Sequence, residues 1–202
     1  MSTPRRTQQE RRETTIGLLV DATIATIAES GYAKASLGTI CERSGVSRGG
    51  LFRHFDSRQD LMVAAAAEVA ARHFASVEER IKESLTVLEA IHLLRERHRA
   101  IDNVVWFELM VAARTDHELR KRLADTTKRF LDQIIVVARR VLGAEMFADD
   151  EFALLVNTLE HTFDGETIRR ELAPDPAAED RRVELLAEFV EFLVERRSTS
   201  SP

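Results

Sequence analysis

A chain of 202 residues that is 44% hydrophobic and 31% charged has the composition of a soluble globular protein, neither disordered nor membrane-embedded. No apolar run reaches the length of a spanning helix, the basic start argues against a secretory signal, and the single cysteine excludes a disulfide framework and suits the cytoplasm. The net charge of −5 is unevenly spread, +2 over residues 1–60 and −7 beyond, so one basic end can face a polyanion, although a basic tail alone is as readily just solvated.

Residues 1–10 read as a flexible basic arm. From Gln9 to Ser30 the positions Ile16, Leu19, Val20, Thr23, Ile24 and Ile27 recur at helical spacing, and Gly31 ends the run. Ser36 is placed to cap a short helix over Leu37–Ser44, which Gly45 closes. Ser47 caps a third helix to about His54, and Ser57, with Asp60 three residues on, caps a fourth reaching about Ser84. Further helices are expected at about 86–100, 102–114, 117–142, 149–171 and 179–196, and residues 198–202 form a flexible tail. No segment alternates with a strand's period of two. The expected fold is all-α, about nine helices: an N-terminal three-helix domain over 11–57 and a C-terminal helical domain over 58–197.

Two short helices joined by a tight glycine turn after a longer one make a helix-turn-helix. Leu37 and Ile40 turn inward, Gly45 supplies the left-handed backbone, and Leu51 and Phe55 pin the third helix to the core. That leaves Arg48, Gly49, Phe52 and Arg53 facing outward, with Arg near a helix start and glycines permitting close approach, as a major groove requires.

The stretches Ile40-Cys41, Ser44-Gly45-Val46-Ser47, Leu51-Phe52-Arg53-His54-Phe55 and Ser57-Arg58-Gln59-Asp60-Leu61 resemble the DNA-binding domain of the TetR family. The resemblance spans about residues 12–62 and implies a role for each matching position. Ser36, Gly38, Thr39 and Ser47 would meet phosphates, Arg48 would read a guanine edge, and His54 and Arg58 would add phosphate contacts. Where the family has a phosphate-contacting tyrosine, this chain has Phe52, and Gly49-Gly50 offers no side chain to a base and costs about 1 kcal/mol of helix stability per glycine.

By the same resemblance the C-terminal domain holds a small-molecule pocket, for which Phe74, Trp106, Phe107, Met110, Phe130 and Phe163 are candidates, each also a plain core residue. The last two helices show apolar residues on more than one face, so they need a partner besides their own core. The family's four-helix dimer interface would supply it through Leu154, Thr158, Leu185, Phe189 and Phe192. Cys41 reads as a small buried hydrophobe rather than a redox sensor. The six histidines lack metal-ligand spacing, no nucleophile-base grouping points to an enzyme, and no cofactor is implied. The expected function is a cytoplasmic regulator of transcription that acts as a homodimer, a repressor released from palindromic DNA by a small molecule. A helical carrier with a vestigial DNA-binding motif, and an enzyme on a helical scaffold, are the rival readings.

Overall fold

The computed structural model describes residues 7–81, 85–142 and 147–198. Among them are nine α-helices and no strand: α1 (Gln8–Ser30), α2 (Leu37–Ser44), α3 (Arg48–Leu51), α4 (Arg58–Arg80), α5 (Val87–His98), α6 (Ile101–Ala112), α7 (His117–Leu142), α8 (Asp149–Arg170) and α9 (Pro176–Ser198). The local rules place most ends. The Thr7 hydroxyl accepts from the Glu10 N–H while the Glu10 carboxylate accepts from the Thr7 N–H at 2.7 Å, so α1 starts at Gln8 and residues 8–10 belong to a helix rather than to a flexible arm. Arg5 and Arg6 lie outside the described residues. At the other end Ser198 still belongs to α9, and residues 199–202 lie outside the description. Pro176 opens α9 three residues earlier than expected, because a helix's first position needs no N–H. α4 ends at Arg80 rather than near Ser84, and 82–84 are outside the described residues.

The chain divides into two compact units. The first runs to Arg72 and takes in Ile101–Thr127, so it holds α1–α3, the start of α4, α6 and the start of α7. The boundary expected between 57 and 58 therefore falls inside this unit. Its core holds Leu19 and Ile27 of α1, which packs on α2 and α6, together with Ile40, Leu51, Leu61, Met62 and Leu109, all fully buried. Thr23 of α1 is buried without a penalty, since its hydroxyl donates to the Leu19 carbonyl at 2.7 Å. Cys41 is only half-buried, and Ile40 takes the inward position of α2 instead.

The second unit comprises His73–Ala100 and the chain from Lys128 on. There α5 packs on α8 and α9. Phe152, Leu155, Leu159 and Phe163 of α8 and Val183, Ala187 and Val190 of α9 are buried. Charge also holds this unit together: Arg99 bridges Glu166 and Glu179, at 2.7 Å each, and Arg182 also reaches Glu166.

Candidate nucleic-acid interface and effector cavity

In the first unit the helix-turn-helix is assembled by two serine caps and one glycine. Thr39 N–H donates to Ser36 Oγ and Gly50 N–H to Ser47 Oγ, both at 3.1 Å. Gly45 has φ 68°, the left-handed conformation that lets α2 turn into α3 with little strain. Arg43 reaches Glu29 in a two-pronged ion pair that fastens α2 to α1.

α3 is helical only over Arg48–Leu51 and continues as turns to His54, shorter than its cap predicts. The adjacent glycines Gly49 and Gly50 explain this, since each weakens helix propagation. Gly50 also has a packing reason to be glycine, because a Cβ there would sit 3.0 Å from Val46 Cγ1. At Gly49 nothing lies within 4 Å.

Ser36, Gly38, Thr39, Ser47, Arg48, Gly49 and Arg53 are all exposed, and Phe52 is 49% exposed, so each residue of the expected outward set reaches the surface. Among the described residues Arg48 and Arg53 make no side-chain hydrogen bond or ion pair. His54 is half-buried, with Nδ1 unpaired among the described residues. Arg58 departs from its expected role. Its Nε donates to the Ala35 carbonyl at 2.8 Å, its Nη2 to the Tyr32 carbonyl at 2.6 Å, and its guanidinium lies 4.0 Å from the Tyr32 ring centroid. In the structure Arg58 thus ties the start of α4 to the α1–α2 connection instead of offering its charge to a phosphate.

The second unit contains a cavity of about 90 Å³ between the end of α4, α5, the end of α7 and α8. Its wall is largely apolar, and the polar groups on it are His73, Arg97 and Glu160. Of the six aromatic and methionine side chains expected there, Phe74 lines it. Phe130 packs its ring at a tilt 5.3 Å from that of Phe74 without lining the cavity, and Phe163 is fully buried with its ring 5.8 Å from that of His98. Trp106, Phe107 and Met110 belong to the first unit and line no part of it. Sequence reasoning picked large side chains by analogy. The polar trio comes from three separate helices, and no local pattern marks it.

Two histidines beside this wall, His73 half-buried and His98 buried, have opposite electrostatics. Burial, with Arg97 and His98 nearby, pushes His73 down to about 4, so it is neutral at neutral pH. For His98 burial also favours the neutral ring, but hydrogen bonding to Asp164 and Glu160 outweighs it and raises the pKa to about 10. Its Nε2 lies 3.3 Å from Asp164 and 3.4 Å from Glu160, while Nδ1 pairs with the Leu94 carbonyl at 2.9 Å.

On α8 and α9 a second apolar face stays uncovered. Leu154 is 69% exposed, Leu185 59%, Phe189 46% and Phe192 57%, with Thr158 exposed one turn after Leu154. Isolated exposed leucines are ordinary, but two exposed phenylalanines one turn apart on the same helix are not. No helix among the described residues is long and apolar enough to cross a membrane.

Comparison with known proteins agrees with this architecture. Residues 19–65 match the model of bacterial regulatory proteins of the tetR family, and residues 82–195 match the C-terminal domain of BetI-type transcriptional repressors. The chain is 40% identical over 185 residues to an HTH-type transcriptional regulator of Mycobacterium tuberculosis, covering 90% of this chain and 95% of the relative. It is 31% identical over 140 residues to the transcriptional repressor AcnR of Corynebacterium glutamicum, covering 68% and 72%. Among solved structures, a transcriptional regulator of Rhodococcus shares the fold with a TM-score of 0.72 at 21% identity, over 86% of this chain and 94% of that one. FadR of Bacillus subtilis, in complex with stearoyl-CoA, shares it with a TM-score of 0.62 at 23% identity, over 85% and 97%. The helix-turn-helix, the all-helical second unit and these matches together show that the chain belongs to the TetR family and is a DNA-binding regulator of transcription.

Proposed function

We propose that the chain works in the cytoplasm as a homodimeric repressor that grips a near-palindromic operator through α3 and lets go when a small molecule enters the cavity of its second unit. The observation that carries the reading is the pair of exposed cations on α3 and the turn after it, Arg48 and Arg53, which have no protein partner among the described residues, beside exposed Ser36, Thr39 and Ser47 hydroxyls. Guanidinium forks read guanine edges, and hydroxyls and backbone N–H groups at helix starts meet phosphates. Ser36, Gly38, Thr39, Ser47 and His54 position the protein in this scheme, Arg48 and Arg53 read bases, and Gly49 and Phe52 lie against the groove wall.

Dimerisation supplies the spacing. Two recognition helices held about 34 Å apart meet successive major-groove faces. The uncovered face of Leu154, Thr158, Leu185, Phe189 and Phe192 is the surface on which two copies meet. The effector couples through α4, whose first residues adjoin the recognition helix in sequence and whose last ones, His73, Phe74 and Val77, line the cavity. A shift of α4 on ligand binding changes the spacing and lowers operator affinity. The chain makes and breaks no covalent bonds in this role. That FadR was crystallised with stearoyl-CoA supports an effector site in this fold.

The short α3 and Phe52 favour the rival reading, a small-molecule carrier with a decayed reading head. Fluorescence anisotropy on the upstream DNA across a salt series, with wild type and Arg48→Ala, separates the two. A regulator binds saturably, and Arg48→Ala loses about 1–3 kcal/mol of discrimination against a scrambled duplex. Equal weak binding of both duplexes, followed by failure of a random-sequence selection to enrich any site, leaves the carrier.

A further inference from the structure

α5 carries arginines at 95 and 97 and is capped by a third, Arg99, and their surroundings differ in one respect. Arg95 Nη1 lies 2.7 Å from the Asp180 carboxylate, and Arg99 Nη2 lies 2.7 Å from both Glu166 and Glu179. Among the described residues Arg97 has no carboxylate partner. Its Nη1 donates to the Ser76 hydroxyl at 2.9 Å, and its Nε, like those of Arg95 and Arg99, is buried with no acceptor among the described residues, so the missing carboxylate is what sets it apart. Arg97 is also the arginine on the cavity wall.

The rest of that wall leaves little else for a ligand's polar end. Phe74, Ile91, Leu94 and Val156 are apolar, and His73 is uncharged at neutral pH. Glu160 already accepts from the His98 imidazolium. The unmatched group is therefore a donor and a cation. A partly buried cation without a counter-ion is unfavourable, and a planar anion that takes two parallel N–H bonds relieves it best. Size limits the remainder of the ligand. At about 90 Å³ the cavity suits a small apolar body.

We infer that the effector is a small apolar carboxylic acid, its carboxylate on Arg97 and its body against Phe74, Ile91, Leu94 and Val156. The inference deepens the effector reading above and rests on it. Glu160 is the competing anchor, and it would select an amine instead.

Calorimetric titration of the full-length protein with hexanoate, benzoate and cyclohexanecarboxylate, beside the matching alcohols and amines, tests this. At least one acid binds about 10- to 100-fold tighter than its alcohol, the range of a charge-assisted hydrogen bond. Arg97→Met brings that acid to the level of its alcohol while alcohol binding stays as in the wild type, and Ser76→Ala keeps the preference. The inference is overturned by an amine binding tightest, by acids no tighter than alcohols, by no acid binding tighter than about 1 mM, or by a preference that survives Arg97→Met. The wild-type comparison of acid with alcohol decides whether or not Arg97→Met folds. Operator binding, measured separately, keeps the two readings apart. No operator binding refutes the regulator and leaves acid selectivity standing, whereas operator binding without acid selectivity refutes the inference alone. An acid that binds on Arg97 without releasing DNA refutes its effector role.

Discussion

Replacing His98 by leucine removes the one imidazolium between two carboxylates of α8. In the wild type its Nε2 is 3.3 Å from Asp164 and 3.4 Å from Glu160, whose side chains are 37% and 15% exposed. Breaking a buried pair costs about 3–5 kcal/mol, because the surviving charge has lost its partner in a poor solvent. Asp164 is partly hydrated, which discounts its share, so a loss near 3 kcal/mol is expected at neutral pH. The effect depends on pH in a definite direction. The folded state keeps the His98 proton to about 10, the unfolded chain only to its ordinary 6.5, so the folded form binds more protons between these values. Stability from the pair is complete below about 6.5 and is lost as pH rises toward 10. Urea unfolding followed by circular dichroism, at one protein concentration and several pH values, measures the difference between wild type and His98→Leu. The difference shrinks from neutral pH toward pH 10, and adding Glu160→Gln and Asp164→Asn to His98→Leu restores most of the stability. A difference under about 1 kcal/mol, or one that does not change with pH, refutes the reasoning.

Two glycine substitutions separate packing from approach to DNA. Gly50→Ala places a Cβ 3.0 Å from Val46 Cγ1, and overpacking there, less the helix-propensity gain of about 1 kcal/mol, leaves a destabilisation of up to about 2 kcal/mol. Gly49→Ala meets nothing within 4 Å, so it raises stability by up to about 1 kcal/mol while its methyl weakens operator affinity; thermal melting and anisotropy read the two effects, and tighter operator binding by Gly49→Ala would move Gly49 off the DNA face. Phe192→Asp tests the uncovered face of α8 and α9. The ring is 57% exposed and occurs twice in a two-fold interface, so about 1 kcal/mol per copy is lost. The dimer dissociation constant then rises at least about 30-fold by sedimentation, and an unchanged constant excludes this face.

Most of the fold is legible because it is written locally. Ser36, Ser47 and Ser57 each accept from the N–H three residues on, and Gly31 and Gly45 both adopt positive φ at helix ends. A cap needs neighbours three or four residues away, and a sequence shows these directly. The weakness of α3 was visible for the same reason, in Gly49-Gly50. What the sequence hid is tertiary. Arg58 has the look of a free phosphate-binding cation, yet its acceptors are the Tyr32 and Ala35 carbonyls. The grouping of α6 with the DNA-binding unit is equally unmarked, although Glu108 accepts from the Tyr32 N–H at 2.9 Å. The cavity is the feature least legible in the sequence, because aromatic bulk does not mark its wall. Trp106 and Phe107 are as aromatic as Phe74, and only packing decides which one borders open space.

The end of α5 shows why the unmatched residue is the informative one. Arg95, Arg97 and His98 crowd its last turn, with Arg99 as its cap, and a helix C-terminus favours positive charge there. Sequence alone gives these four a common explanation. In the folded unit three of them meet carboxylates of α8 or α9, and those pairs fix α5 in place. Arg97 contributes nothing comparable, having only a serine hydroxyl. A helix already held by its neighbours has no structural need of a further cation buried at an apolar wall, where desolvation works against it. Such a group persists at a net cost to the empty protein, and the cost is recovered only when something with the opposite charge arrives. That makes Arg97 the residue through which ligand chemistry and the position of α4 can be coupled, since Ser76, its hydrogen-bond partner among the described residues, lies on α4 itself.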